Sequence, residues 1–371
     1  MKDQFNDCSP LFHFSNLGDP RVDRTKLHHL KDIVFLTIMA VLSGADGWVG
    51  IEEFGKEKED WLRRYLELPA GVPSHDTIGV VMARICPQEF ECCFLSWIKA
   101  LSNLSDHEIV AIDGKQLRKS YDKSSSKAAI HMVSAWANEN QLILGQVKVD
   151  DKSNEITAIP RLIEVLSLEG TVVTIDAMGC QKAIVEKIID QKADYLISLK
   201  GNQGSLHQQV RYAFDVQAAT EVDQRTDYGH GRIEERRCSV ITDLKWVDQF
   251  QEWKELNSII KLESDRHDLN KGESSKETRY YISSLKQDPA FINKAIRSHW
   301  GIENKVHWIL DVAFREDDSR IRKGNGAQNF SVIRRIALNL LKNYGSPKIG
   351  VQTKRLKLAW NPDKLLDVLK I

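Results

Sequence analysis

Three carboxylates fall where acidic residues can do metal chemistry. Asp113 closes the apolar run Ile109-Val110-Ala111-Ile112, Asp176 closes Thr171-Val172-Val173-Thr174-Ile175, and Glu303 sits in a long amphipathic stretch that begins after Pro289. Hard divalent cations such as Mg²⁺ or Mn²⁺ take carboxylate oxygens. Two of them held about 3.5 to 4 Å apart can grip the attacking and the leaving oxygen of an in-line phosphoryl displacement. Two aspartates at the ends of neighbouring strands are an incomplete cage, and Glu303 is the natural third donor. A single Asp before Gly, as in Asp113-Gly114, reads by itself as a turn residue. Three carboxylates at these topological positions read as a site for two divalent ions.

Neighbouring residues are weighed against the same site. Asp311 follows Glu303 by eight residues, about 12 Å along a helix rising 1.5 Å per residue, so only one of them can serve the same ion pair. The longer glutamate arm favours Glu303, and Asp311 is expected to pair with Arg315 one turn on. His299, Glu303 and His307 share a helix face, but the adjacent His-Glu of a zinc-protease helix is missing, so the histidines are expected to contact DNA or support the ligands. Trp300 and Trp308 are expected in the core, with stacking on an extruded base as the alternative. Gly50 to Glu57 nearly matches a phosphate-binding loop, yet Glu57 stands where Ser or Thr is needed and the context is helical, so nucleotide binding there is rejected.

The elements that must position these residues are legible as periodicity. Residues 25 to about 105 read as helices: Leu27, Leu30, Ile33, Val34, Leu36, Met39 and Leu42 recur at helical spacing, Asp60 to Leu68 continues it, and Ser74 looks like an N-cap. From Glu108 the texture changes to three strand-like runs, 109–114, 130–137 and 142–149, expected as an antiparallel meander. A helix with Pro160 in its first turn, a strand at 171–175, a helix at 181–190, a strand at 195–199 and a helix at 206–214 follow. Strand, strand, strand, helix, strand, helix, strand, helix is the order of a ribonuclease H-like fold. The expected architecture is therefore α/β: a ribonuclease H-like mixed sheet with flanking helices, preceded by an all-helical N-terminal domain. Short runs at 233–241, 258–263 and 279–283 read as a small β insertion over about 228–285. The expected domains are 1–105, helical and DNA-binding; 106–345, catalytic with its insertion; and 346–371, a basic C-terminal segment.

Bulk composition bounds the partners. The chain has 371 residues, 42% hydrophobic and 28% charged, which suits a globular protein of two or three domains. The longest apolar run, Ile33 to Leu42, is too short to span a membrane, and Met1 to Cys8 lacks the apolar core of a secretion signal. A cytoplasmic, nucleoid-associated location with no membrane partner is expected. Six cysteines show no C-x-x-C pair and read as reduced, mostly buried thiols. Net charge is zero, but from Arg320 onward 12 basic residues face two acidic ones, a concentration suited to phosphates.

Several motifs carry a resemblance. Ala111-Ile112-Asp113-Gly114-Lys115, Ser153-Asn154-Glu155-Ile156-Thr157-Ala158-Ile159-Pro160, Thr174-Ile175-Asp176-Ala177-Met178-Gly179-Cys180-Gln181, Lys200-Gly201-Asn202-Gln203, Gly229-His230-Gly231-Arg232 and His299 to Trp308 resemble the H-repeat-associated branch of bacterial insertion-sequence DDE transposases. The likeness spans nearly the whole chain, including Leu42 to Trp48 and His75 to Ile78. It implies a DDE triad of Asp113, Asp176 and Glu303 holding Mg²⁺ or Mn²⁺. It also implies cleavage at the element's terminal inverted repeats, and transfer of the freed 3′ hydroxyl into target DNA. A homodimer on double-stranded DNA ends is expected.

One departure limits the transfer of roles. Related enzymes carry Tyr-x2-Arg-x3-Glu-x6-Lys around the glutamate, where this chain has Ile296, His299 and Leu310. Arg297, His299, Asn304, Lys305 and His307 are the available substitutes. With Lys115, Lys200, Asn202, His230, Arg232, Trp300, Arg320, Arg322 and Lys323 they make up the candidate DNA contacts. A nuclease of the same fold without strand transfer, or a domesticated DNA-binding protein, remains the alternative. The latter is disfavoured because all three carboxylates are present.

Overall fold

The computed structural model describes residues 6–121, 128–150, 153–229, 231–286 and 288–370. Six helices come first: α1 (Pro10–Phe14), α2 (Leu30–Leu42), α3 (Trp48–Glu57), α4 (Glu59–Leu62), α5 (His75–Arg84) and α6 (Pro87–Leu101). The Ser74 hydroxyl accepts from the Thr77 N–H and starts α5, as an N-cap should. Helix α4 stops at Leu62, short of the expected Leu68, which has a left-handed backbone (φ 42°). Leu27 lies before α2 and is exposed. Gly50 to Glu57 lie inside α3, where a Cβ on Gly55 would meet Val72 at 2.6 Å, so this glycine serves helix packing.

The sheet begins with β1 (Ile109–Gln116), β2 (His131–Ala137) and β3 (Leu142–Lys148). Then come α7 (Glu155–Val165), β4 (Val172–Ile175), α8 (Lys182–Asp190), β5 (Asp194–Leu199) and α9 (Gly204–Val216). Strands β1, β4 and β5 pair in parallel, and β2 and β3 run antiparallel on the β1 edge. Ile109 to Ile112 are buried throughout, as expected of a strand covered on both faces. Pro160 lies in the second turn of α7, not the first, because the helix starts at the Asn154 cap, whose side chain accepts from the Ile156 N–H. This is the ribonuclease H-like mixed α/β fold behind a helical N-terminal region.

Four further strands, β6 (Glu221–Gly229), β7 (Arg232–Ile241), β8 (Ser258–Asp268) and β9 (Glu273–Ser283), extend that sheet. Its order is β3-β2-β1-β4-β5-β9-β8-β7-β6, so the segment is inserted in sequence but continuous with the sheet in space. Strand β6 escapes periodicity because none of its residues is buried. The last helices are α10 (Pro289–His299), α11 (Trp308–Phe314), α12 (Gly326–Lys342), α13 (Val351–Trp360) and α14 (Asp363–Leu369). Helix α12 is buried from Gly326 to Leu341 apart from Gln328, and packs against α2, α5, α6 and β3. Its neighbours share one hydrophobic core with the sheet. No described helix is long and apolar enough to cross a membrane.

Candidate active site

The parallel register sets the site. Ile112 is the last residue of β1 paired with β4, opposite Ile175, so Asp113 and Asp176 are the next residues of adjacent strands. Asp113 does not end its strand, however, because pairing with β2 carries β1 on to Gln116. Beyond β4 the chain turns at once: Asp176 Oδ1 accepts from the Met178 N–H at 2.9 Å and caps a short 3₁₀ turn. That turn is pinned from the next loop, where the Asn202 amide donates to the Ala177 carbonyl at 2.7 Å. Gly179 is needed there, since a Cβ would come within 2.3 Å of Ile175 Cγ2.

Glu303 is carried by a helical run interrupted by a π turn, Glu303–His307, between α10 and α11. A π turn widens a helix and re-aims its side chains, and such turns concentrate at functional sites. The result is a cavity of about 210 Å³ lined by Asp113, Asp176 and Glu303, with Thr174, Lys200, Arg279, His299 and Trp300 among its other walls. Glu303, Arg279 and Trp300 also line a wider groove of about 860 Å³, with Tyr228, Arg232, Arg266, Arg297, Asn304 and Lys305.

The electrostatics are unbalanced. Burial, opposed by a hydrogen bond from the Gly114 backbone and reinforced by Glu155, Asp176 and Glu303, pushes the Asp113 carboxyl up to about 7. His307 Nδ1 lies 3.5 Å from Asp113 Oδ2. Burial, then the charges of Arg335 and Lys115, push that imidazole down to about 3, so it brings no positive charge. His299 Nδ1 meets the Thr174 hydroxyl at 3.0 Å, and its ring is also held below its ordinary range by burial. Among the described residues no three His, Cys, Asp or Glu side chains already converge as a ligand set. The donors nonetheless fit a hard divalent cation: they are carboxylates, and their crowded negative charge is what such an ion relieves.

Several sequence expectations are corrected. Lys115 is turned inward, 8% exposed, with Nζ 2.7 Å from Asp311 and 3.0 Å from Asp317, and so is not offered to DNA. Asp311 therefore pairs with Lys115 and not with Arg315, whose left-handed backbone ends α11. Trp300 and Trp308 are 39% and 61% exposed instead of core residues. The thiols are not mostly buried either: all six cysteines are free, with only Cys180 and Cys238 in the interior.

The basic C-terminal charge is partly internal. Arg334, Arg335, Lys354 and Arg355 are buried. Arg335 meets Glu316 at 3.0 Å, Lys354 donates to the Leu341 carbonyl, and Arg355 donates to the carbonyls of Val41 and Ala45 and to Asp46. Arg320 and Lys323 are exposed, and Arg322 lies over the Tyr121 ring at 4.9 Å. Lys200 and Arg232 are exposed beside the cavity and the groove. Arg297 meets Glu234 at 2.9 Å, and Lys305 meets Asn138 at 3.3 Å. His230 lies outside the described residues. Arg279, which lines both the cavity and the groove, was missed: nothing about a lone strand arginine marks it as part of a site.

The family model described as DDE_Tnp_1-associated matches residues 11–98, and the Transposase DDE domain matches residues 104–340. "Putative transposase YncI" of Escherichia coli O157:H7 is 44% identical over 368 residues, covering 97% of this chain and 94% of that one. "H repeat-associated putative transposase YhhI" of Escherichia coli (strain K12) is 42% identical over 365 residues, 96% of each chain. A solved structure, the piggyBac transposase synaptic complex with hairpin DNA, covers 100% of this chain and 78% of that chain at 10% identity. The TM-score of that match is 0.43. With the catalytic-domain model matched over most of the chain and close relatives along its whole length, this protein belongs to the DDE transposase family, alongside the H repeat-associated transposases.

Proposed function

We propose that this protein cleaves DNA at the ends of an insertion sequence and joins the freed strand to target DNA, using Asp113, Asp176 and Glu303 as its metal-holding triad. The observation that carries this reading is one cavity lined by all three carboxylates and sharing Glu303 with a basic groove. Divalent ions bound there would activate the attacking oxygen and stabilise the leaving one. The protein's own residues divide the remaining work. Asp113 and Asp176 hold the floor from adjacent strands, while Glu303 closes the cage from the π turn. Arg232 and Lys305 give the groove charge to bind a phosphate backbone, joined by Arg266 and Arg297, which also meet Glu234, and by Arg279, which also meets Glu277. Trp300 and Tyr228, exposed beside these arginines, offer faces for unpaired bases. The substrate is double-stranded DNA, bound by a dimer that pairs two element ends, in the cytoplasm at the nucleoid.

The test separates cleavage from joining. In Mg²⁺ with a labelled element-end duplex, Glu303→Gln is expected to lose both activities by on the order of 10³-fold or more, since several kcal/mol of transition-state stabilisation go with the metal cage. Asp311→Asn, which disturbs only the Lys115 pair, is expected to keep measurable activity. The reverse ranking in folded proteins would move the third ligand off Glu303. Cleavage without any strand joining in the unaltered protein would identify a nuclease instead.

A further inference from the structure

The carboxylate cavity continues past an opening in the sheet. Strand β5 pairs with β9 only as far as Leu199, opposite Tyr280, whereas β9 runs on with β8 to Glu273. Among the described residues, the edge of β9 from Arg279 to Glu273 therefore has no strand on the β5 side. The gap opens a way from one face of the sheet to the other. Tyr281 packs with Ile292 and Ile296 of α10, while the neighbouring Tyr280 meets the rings of His207 and Phe214 on α9 at 5.4 and 6.1 Å. Successive strand residues point to opposite faces, so α10 and α9 cover opposite sides. Tyr281 lines the carboxylate cavity, and Tyr280 lines a second pocket of about 440 Å³ on the α9 side. Ser198, Lys200 and Arg279 line both.

The second pocket is cationic, with Lys200, Arg211 and Arg279 set against Glu277 alone. Arg279 already meets that carboxylate through two hydrogen bonds, of 2.7 and 2.9 Å. Lys200 and Arg211 are exposed, and among the described residues neither side chain makes a hydrogen bond or an ion pair. Two free cations of this kind suit a DNA backbone. Its place follows from in-line displacement, in which the attacking and leaving oxygens lie on opposite sides of phosphorus. The basic groove holds DNA on the α10 side, so the strand across the reacting phosphate needs another way out, and the gap supplies it. In cleavage, water attacks phosphorus as the P–O3′ bond breaks, leaving a 3′ hydroxyl on the element and the phosphate on the flanking strand. In joining, that hydroxyl attacks a target phosphodiester and frees a target 3′ hydroxyl. In each step the nucleophile loses a proton and the leaving oxygen gains one.

We propose that the pocket at Lys200 and Arg211 holds the backbone of the DNA strand beyond the reacting phosphodiester, the flanking strand in cleavage and the target strand in joining. The assignment rests on the cleavage and joining reading above. The test compares Arg211→Gln, an exposed position outside the carboxylate cavity, with the unaltered protein. Binding is measured over a salt series for element-end duplexes that stop at the cleavage site and for duplexes that continue into flanking DNA. For flanked DNA the log-log salt slope is expected to fall by roughly 1 unit, as one phosphate contact is lost, with no change for the flush end. Adding Lys200→Gln should lower the flanked slope by roughly 1 unit more. In Mg²⁺, joining of a pre-cleaved end by Arg211→Gln should slow at low target concentration and recover at high concentration.

A loss in only one arm keeps the pocket as a DNA site and assigns it to that strand alone. A slope that falls equally for flush and flanked DNA puts element DNA in the pocket and overturns the proposal. If the unaltered protein cleaves and joins and Arg211→Gln matches it throughout, only the pocket falls. If the unaltered protein does neither with element ends, the reading beneath it falls as well.

Discussion

Two clusters of buried charge share the interior, and His307 feels both. Around Glu316 opposite charges meet: the carboxylate is fully buried and lies 3.0 Å from Arg335 and 3.9 Å from Arg334. Burial alone would raise that carboxyl, yet Arg335, Arg334 and Lys115 hold it below its ordinary range. Around Asp113 burial has the opposite company, and Glu155, Asp176 and Glu303 add to the rise. One cluster is closed by cations the sequence supplies. In the other, the carboxylate neighbours of Asp113 add like charge. Burial by itself therefore does not mark a functional charge; the sign of the charges beside it is what separates the two clusters.

The sharpest way to break this comparison is to remove Glu316. Glu316→Ala leaves two buried guanidinium groups without their carboxylate and is expected to cost about 3 to 5 kcal/mol, the usual penalty for half of a buried pair. Urea unfolding measures it, and a loss under about 1 kcal/mol would show that the Arg334 and Arg335 cluster does not depend on its acid. Asp113→Asn in metal-free protein at pH 8 should not be destabilised, since it removes one of several like charges.

A smaller effect follows from pH, with opposite signs in the two clusters. The folded Asp113 carboxyl titrates at about 7, above roughly 3.9 in an unfolded chain, so the native state holds the extra proton between these values. Its contribution to stability therefore falls as pH rises through that window, by at most about 1.4 kcal/mol per pH unit. Glu316 has a lowered folded value, so its contribution is present above the ordinary glutamate range and lost as pH falls through that lowered value. Unfolding of metal-free protein at a series of pH values should show a limb between about pH 4 and 7 that Asp113→Asn or saturating Mg²⁺ flattens. A limb unchanged by either would contradict the uncompensated charge at Asp113.

The smallest expected effect sharpens the contrast between basic residues that face solvent and those that do not. Neutralising Arg320, Arg322 and Lys323 together should reduce the log-log salt slope of DNA binding by roughly 3 units if each meets a phosphate, with no loss of folding. An unchanged slope would make that loop only a solvated surface.

Most of the candidate site was legible from local pattern. Asp113 and Asp176 stood out because each follows a continuous apolar run, the mark of a strand buried on both faces. Glu303 stood out because Pro289 and helical spacing announce the element that carries it. The π turn was not legible, because widening a helix by one residue is decided by what packs against it. Strand β6 was missed for a related reason: with no buried face it has no alternation to read. Charge counting also misled, since Arg334, Arg335, Lys354 and Arg355 look like a DNA-binding face until their carbonyl and carboxylate partners are seen.

The sequence by itself determined the order of the elements, the choice of three candidate carboxylates and the family, because apolar periodicity and motif spacing are properties of neighbouring residues. Only the tertiary structure decided which charges find partners. Lys115 meets Asp311 across 196 positions of chain, and Arg355 meets the Val41 carbonyl across 314. Glu155 comes against Gly114 and His131 only because the start of α7 is laid against the sheet. Contacts of that kind depend on how strands register and helices dock, and a charge is structural or available according to what those contacts bring within a few ångströms of it.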